Sequence, residues 1–163
     1  RGMSAAVPVR VRIVRLPGCE DVALPEARTG GASGLDLHAA LNGVEVIEPG
    51  QRATIPTGIA VALPPGTEAQ VRPRSGLSAK HGVTVLNAPG TIDSDFRGEI
   101  KVLLVNLGAE PFEVSRGMRI AQLVVTPVLA VELEEVVALP ASARGENGLG
   151  STGVSEAPTN GGT

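Results

Sequence analysis

The stretch Arg72-Pro73-Arg74-Ser75-Gly76-Leu77-Ser78 places two arginines directly ahead of Ser75–His81, the one segment that invites a helix. Guanidinium forks pair with phosphate oxygens, a serine hydroxyl can donate beside them, and a glycine lets the backbone come close. Ser75 is positioned to cap the helix and Gly82 to end it, and the free N–H groups at such a start favour an anion. A polyphosphate fits this pattern. A second stretch, Asn87-Ala88-Pro89-Gly90-Thr91-Ile92-Asp93-Ser94-Asp95-Phe96-Arg97-Gly98, is rich in turn formers and carries two carboxylates, an amide and one of only two Phe residues. The backbone of such a hairpin can pair with a base edge, Asn87 can add a contact, and Phe96 can cover a sugar face. Asp93 is a candidate general base. Each feature has a plainer explanation, because an arginine ahead of a helix is a common surface feature and Asp93 and Asp95 are ordinary turn residues. Their occurrence together, with Arg116-Gly117-Met118-Arg119-Ile120-Ala121-Gln122-Leu123 adding two arginines and a glutamine to an apolar run, shifts the balance toward a nucleotide site. A buried polar side chain in such a run needs a partner.

Near the C-terminus, Gly148-Leu149-Gly150-Ser151-Thr152-Gly153 has the spacing of a dinucleotide-binding fingerprint. That reading requires a preceding strand, a following helix and an acid about 20 residues on, and too little chain follows Gly153. What remains is a phosphate wrapper of Arg144, glycines and hydroxyls. After Pro140 the composition turns to Ala, Ser, Gly, Thr, Asn and Pro, so 141–163 is expected to be a flexible tail when no ligand is present.

Strands must position these residues. Gly (21) and Pro (13) punctuate short apolar runs all along the 163 residues, which is the pattern of a many-stranded β protein. Strands are expected over 10–16, 34–40, 44–47, 58–63, 69–73, 84–86, 99–107, 117–127 and 131–137. The strand 99–107 and the stretch 120–125 are apolar at nearly every position, as expected when both faces are covered by protein, and another subunit could supply one of the covers. Arg1 and Gly2 ahead of Met3 look appended to a natural start, leaving 3–140 as a single core.

Composition excludes several classes. Runs such as Val102–Val105 are far too short to cross a bilayer, so no membrane role is expected. One cysteine, Cys19, rules out an internal disulfide and fits a cytoplasmic address, and His38 and His81 have no zinc-site spacing. A net charge of -3 and the lack of Trp and Tyr argue against nucleic acid. Only Lys80 and Lys101 of the 14 basic residues are lysines, so anion recognition falls to arginine.

The residues together resemble the trimeric dUTP pyrophosphatase family, whose five ordered motifs can be placed at Ser33–Leu37, Arg72–Ser78, Asn87–Gly98, Arg116–Leu123 and Arg144–Gly153. The resemblance implies an all-β, distorted jelly-roll of the β-clip kind, with one short helix after the second motif. It implies a homotrimer whose sites are shared between subunits. It also implies hydrolysis of dUTP to dUMP and pyrophosphate with Mg2+, which supplies dUMP and keeps uracil out of DNA. Asp93 would deprotonate a water for attack on the α-phosphorus. Asp36 would act on the metal through water, with no direct protein ligand to the ion. Arg74, Ser75, Gly76 and Gln122 would hold the phosphates. Asn87, Gly90, Ile92 and Phe96 would form the deoxyuridine pocket, and Arg144, Ser151 and Thr152 would close over the γ-phosphate. Thr91, Lys101, Leu149 and Gly150 would belong to the substrate-binding set as well.

Two positions depart from the family pattern: Phe96 stands where Tyr is usual, and Leu149 where an aromatic is usual. The first keeps the ring. The second removes a stacking partner for uracil, a contact that elsewhere contributes about 1–3 kcal/mol. The related dCTP deaminases carry Phe at the position of Phe96, but their catalytic Glu falls on Leu103 here, and leucine transfers no proton. A regulator that binds nucleotide without turning it over is the other rival, and retention of Asp93, Asp36, Arg74, Gln122 and Arg144 speaks against it.

Overall fold

The computed structural model describes residues 8–146, comprising a β unit that runs to Ala130 and a following segment, 131–146. Every strand pairing in the β unit is antiparallel. One sheet has the order β1 (Arg12–Arg15), β4 (Arg52–Ala62), β8 (Glu99–Asn106), β6 (Val83–Val85). The second has the order β2 (Leu35–His38), β10 (Arg119–Pro127), β5 (Thr67–Arg72), β7 (Gly90–Ile92), and β3 (Glu45–Ile47) pairs with β9 (Phe112–Val114). All three sheets feed one core: Leu37, Ile47, Ile55, Ile100, Leu104, Val114 and Ile120 are fully buried within it. This is the jelly-roll-like, all-β architecture expected from the short, evenly punctuated apolar runs.

The differences from the sequence expectations have local causes. Strand β4 begins at Arg52 and not at Gly58, because its ladder with β8 slips between Pro56 and Ala60. The slip accommodates a proline without an N–H and Gly58 at φ 67°, and the freed groups find side chains. The Gly58 N–H donates to Glu99 Oε1 at 2.9 Å and Thr57 Oγ1 donates to the Ile100 carbonyl. Strands β7 and β9 are three residues each, too short to leave a period in the sequence. No strand forms over 131–137, where Val131, Leu133 and Val137 are exposed. Leu103 on β8 and Val124 and Val125 on β10 are only half-buried, so the second cover of these strands is incomplete in one chain.

The single helix among the described residues, α1 (Ser75–His81), forms where expected but is capped differently. Arg74, with extended backbone, is the N-cap and makes no capping side-chain bond; Ser75 is the first helical residue. Gly82 ends the helix at φ 67°, its N–H closing on the Ser78 carbonyl at 3.1 Å. No helix among the described residues is long and apolar enough to cross a membrane. The expectations for residues 1–2 and for 147–163 lie outside the described residues.

Candidate active site

On β10, Ile120 and Ala121 are neighbours in sequence and both buried, which a regular strand does not allow. The ladder to β2 shifts at this point, between Arg119 and Ala121. This bulge resets the alternation, so Gln122 stands opposite Asp36 on β2 and opposite Arg72 on β5. A carboxylate, an amide and a guanidinium therefore form one row across three strands, on one face of the sheet. The amide is held in place, its Nε2 donating to the Pro73 carbonyl at 2.8 Å. It lies so close over Gly34 that a Cβ there would meet its Cδ at 3.0 Å.

Three arginines converge on Asp36, whose side chain is 13% exposed. Arg74 Nε lies 3.3 Å from Oδ1, while Arg119 Nη1 and Arg28 Nε lie 3.0 and 3.3 Å from Oδ2. Burial pushes the Asp36 pKa up, but the hydrogen bonds from Arg119 and Arg28 and the charges of Arg74 and Arg119 outweigh it and hold the carboxyl below its usual range. Arg74 is oriented further by an Nη1 bond to the Arg119 carbonyl at 2.9 Å. His38, two residues along the same strand, is buried, and burial lowers its pKa against the pull of Asp36, which favours the neutral ring. Asp36, Arg74, Ser75, Gly76 and Gln122 line a concavity of about 160 Å³, adjoined by one of about 400 Å³ that adds Arg28, Arg72 and Arg119. The excess of guanidinium over carboxylate gives this wall a positive field that would attract an anion.

The hairpin lies on the other side of β5. Gly90 is opposite Val71 and Ile92 opposite Ala69, with Thr91 exposed between them. Asn87 leans on Gly90, its Nδ2 3.2 Å from where a Cβ would stand. At the tip, Phe96 N–H closes on the Asp93 carbonyl at 3.2 Å, and Arg97 Nη1 donates to the Ser94 and Phe96 carbonyls at 2.7 and 2.8 Å. Asp93, Ser94 and Asp95 line a cavity of about 630 Å³ with Gly66, Thr67, Glu68 and Val128–Ala130. Asp93 thus stands level with Glu68, four residues down β5 from Arg72, which is about 13 Å at ~3.3 Å per residue. One chain does not bring Asp93 to the Asp36–Gln122–Arg72 row. Lys101 projects from β8, 54% exposed and 3.9 Å from Glu99, and lines neither cavity. Arg144 belongs to the 131–146 segment, at a turn where the Gly145 N–H meets the Ser142 carbonyl at 3.1 Å. Leu149, Gly150, Ser151 and Thr152 lie outside the described residues.

The dUTPase family model matches residues 20–153, a span that takes in all of these segments. The chain belongs to the dUTPase family. It is 59% identical over 148 residues to the deoxyuridine 5'-triphosphate nucleotidohydrolase of Beijerinckia indica, covering 90% of this chain and 92% of that one. It is 57% identical over 143 residues to that of Rhizobium meliloti, covering 86% and 89% of the two chains. Among solved structures, a point-mutant dUTPase of Staphylococcus bacteriophage 80alpha with dUpNHpp superposes with a TM-score of 0.80 at 26% identity, over 89% of this chain and 99% of the other. For a dUTPase site, Arg28 and Arg119 are the functional candidates that the sequence reading missed. Arg119 stood inside a motif without a role, and its ladder position opposite His38 is what aims it at Asp36. Arg28 left no signal, since it reaches Asp36 only because the chain folds back, with the Asp36 N–H on the Glu26 carbonyl at 3.1 Å.

Proposed function

We propose that in this dUTP diphosphatase Asp93 takes a proton from a water as that water attacks the α-phosphorus of dUTP. The bond to the bridging oxygen breaks, and dUMP and pyrophosphate leave. The row Asp36–Gln122–Arg72 with Arg74 at its end carries this reading, because it is a concave wall on which guanidinium groups outnumber carboxylates. Arg74, Ser75, Gly76 and Gln122 hold the phosphates there, and little else is needed, since positioning and charge neutralisation dominate phosphoryl transfer. Asn87, Gly90, Thr91 and Ile92 read the base edge, and Phe96 covers the deoxyribose. Arg144 and Leu149–Thr152 close over the nucleotide from a further chain.

The residues present fit magnesium that arrives with the substrate. No cluster of three or more His, Cys, Asp or Glu suited to a metal occurs among the described residues, and the Asp36 oxygens are already engaged by guanidinium groups. Asp36 can then meet the ion only through water, as magnesium bound mainly by phosphates and waters allows. When bound, magnesium neutralises charge on the phosphate oxygens and aligns the chain.

Because Asp93 and Arg74 lie at opposite ends of β5, a complete site draws on more than one copy, which supports a homotrimer with shared sites. The single cysteine, Cys19, supports a cytoplasmic address. The test is incubation with dUTP, dCTP, dTTP and UTP plus magnesium, following pyrophosphate and base products, with Asp93→Asn alongside. Pyrophosphate from dUTP alone, reduced about 10²–10⁴-fold in kcat by Asp93→Asn, is expected. Conversion of dCTP to a uracil nucleotide, or an Asp93→Asn variant with full turnover, would overturn the reading.

A further inference from the structure

We infer that Gly98 is the seat of the Phe96 ring and so a positioning residue for the choice of deoxyribose over ribose; this rests on the proposed role of Phe96 as the sugar's cover. A Cβ built at Gly98 would stand 2.6 Å from Phe96 Cζ, 3.0 Å from Cε2 and 3.4 Å from Cε1. The far edge of the ring therefore rests on the glycine itself. Gly98 is not among the glycines with positive φ, so its backbone is one that any residue adopts. What a side chain at this position would meet is the ring, and what has to give way is the ring. The ring cannot yield easily by a shift of the tip, because Arg97 Nη1 ties the Ser94 and Phe96 carbonyls together at 2.7 and 2.8 Å. With the ring 41% exposed, one edge is seated and the remainder is free to meet a ligand. A methyl group at position 98 must displace the ring from this seat, and the placement of the ring that covers the sugar decides whether a 2′-hydroxyl has room.

The experiment compares kcat/KM for dUTP and UTP, in the full chain with magnesium, for wild type, Gly98→Ala, Phe96→Ala and the double variant. Gly98→Ala is expected to change the dUTP/UTP ratio about tenfold, mainly through KM, because a misplaced apolar contact alters binding and not proton transfer. Once the ring is gone the methyl has nothing to displace, so the double variant should match Phe96→Ala alone. An unchanged ratio in Gly98→Ala overturns the inference, as does an effect that simply adds to that of Phe96→Ala. If Gly98→Ala fails to fold, thermal melting of the double variant decides: recovery supports a ring clash, and continued failure overturns it. A ratio unaffected by Phe96→Ala sinks the reading of Phe96 as the sugar's cover, and the inference with it; failure confined to Gly98→Ala leaves that reading standing.

Discussion

At Asp36 a single carboxylate neutralises part of a field made by three guanidinium groups, and its removal leaves Arg28, Arg74 and Arg119 facing one another across a concavity. Asp36→Asn is therefore expected to lower Tm at neutral pH. The sign of the pH dependence follows from the lowered folded pKa: the stabilisation is complete above the ordinary carboxylate value and is lost as pH falls through the folded value. The Tm gap between wild type and variant should thus be constant through neutral pH and close in acid; a gap that widens in acid would refute the ion-pair account. Asp21 tests the same logic away from the site. Arg116 grips it through Nε and Nη2 at 2.8 and 2.6 Å, and its carboxyl is lowered from 3.8 to about 2, first by that hydrogen bond, which outweighs the opposing effect of desolvation. Arg116→Ala should cost stability that is present above pH 3.8 and fades toward about pH 2, and added salt should shrink it because the pair is exposed. A melt series over pH and salt checks both. Arg74 and Gln122 were legible in the sequence because a polar group inside an apolar or turn context has to be explained. Arg28 was not, since its partner is set by a loop closure that residue spacing does not encode.

Helix α1 shows how little holds an element in place. It has no fully buried residue and no side-chain cap at its start, so apart from Leu77, which packs against the core, its position depends on its ends. At its C-terminus Gly82 is left-handed and pressed on the 107–108 backbone, with a Cβ there 2.5 Å from the Gly108 nitrogen. Gly82→Ala is expected to lose at least about 1–2 kcal/mol of stability, the cost of a left-handed L-residue, with the contact adding to it. It should also raise KM for dUTP, because Ser75 and Gly76 sit at the other end of the same two turns. Urea unfolding together with steady-state kinetics measures the two effects, and a variant as stable as wild type would show that the Gly108 backbone yields freely. The helix was legible from Ser75 to Gly82, as were the long apolar strands β8 and β10. The first half of β4 was hidden by Pro56 and Gly58, whose strand-breaking character is absorbed by a register slip that only tertiary pairing reveals. In 131–137 the opposite occurred, for apolar residues promised a strand and a strand exists only where a neighbour offers a ladder.

At the scale of the whole molecule, strand β5 acts as a spacer. It fixes Arg72 and Arg74 at one end and, through β7, Asp93 at the other, and a strand neither bends nor shortens to bring them together. If two copies each contribute one half of a site, then Asp93→Asn and Arg74→Ala damage different chains of the same site, and mixing them can restore what neither has. With random association of equal amounts, a given site draws an intact Asp93 and an intact Arg74 about one time in four, so about a quarter of wild-type activity should return in a closed symmetric assembly. The two variants would be unfolded together, refolded and assayed for pyrophosphate release, with each variant refolded alone as the baseline and sedimentation used to count subunits. Recovery near that fraction in a trimer is the outcome that shared sites demand. A mixture no more active than its parts, in protein that sediments as a trimer, would mean that each chain closes its own site, and the 13 Å along β5 would then have to be bridged by a rearrangement on nucleotide binding.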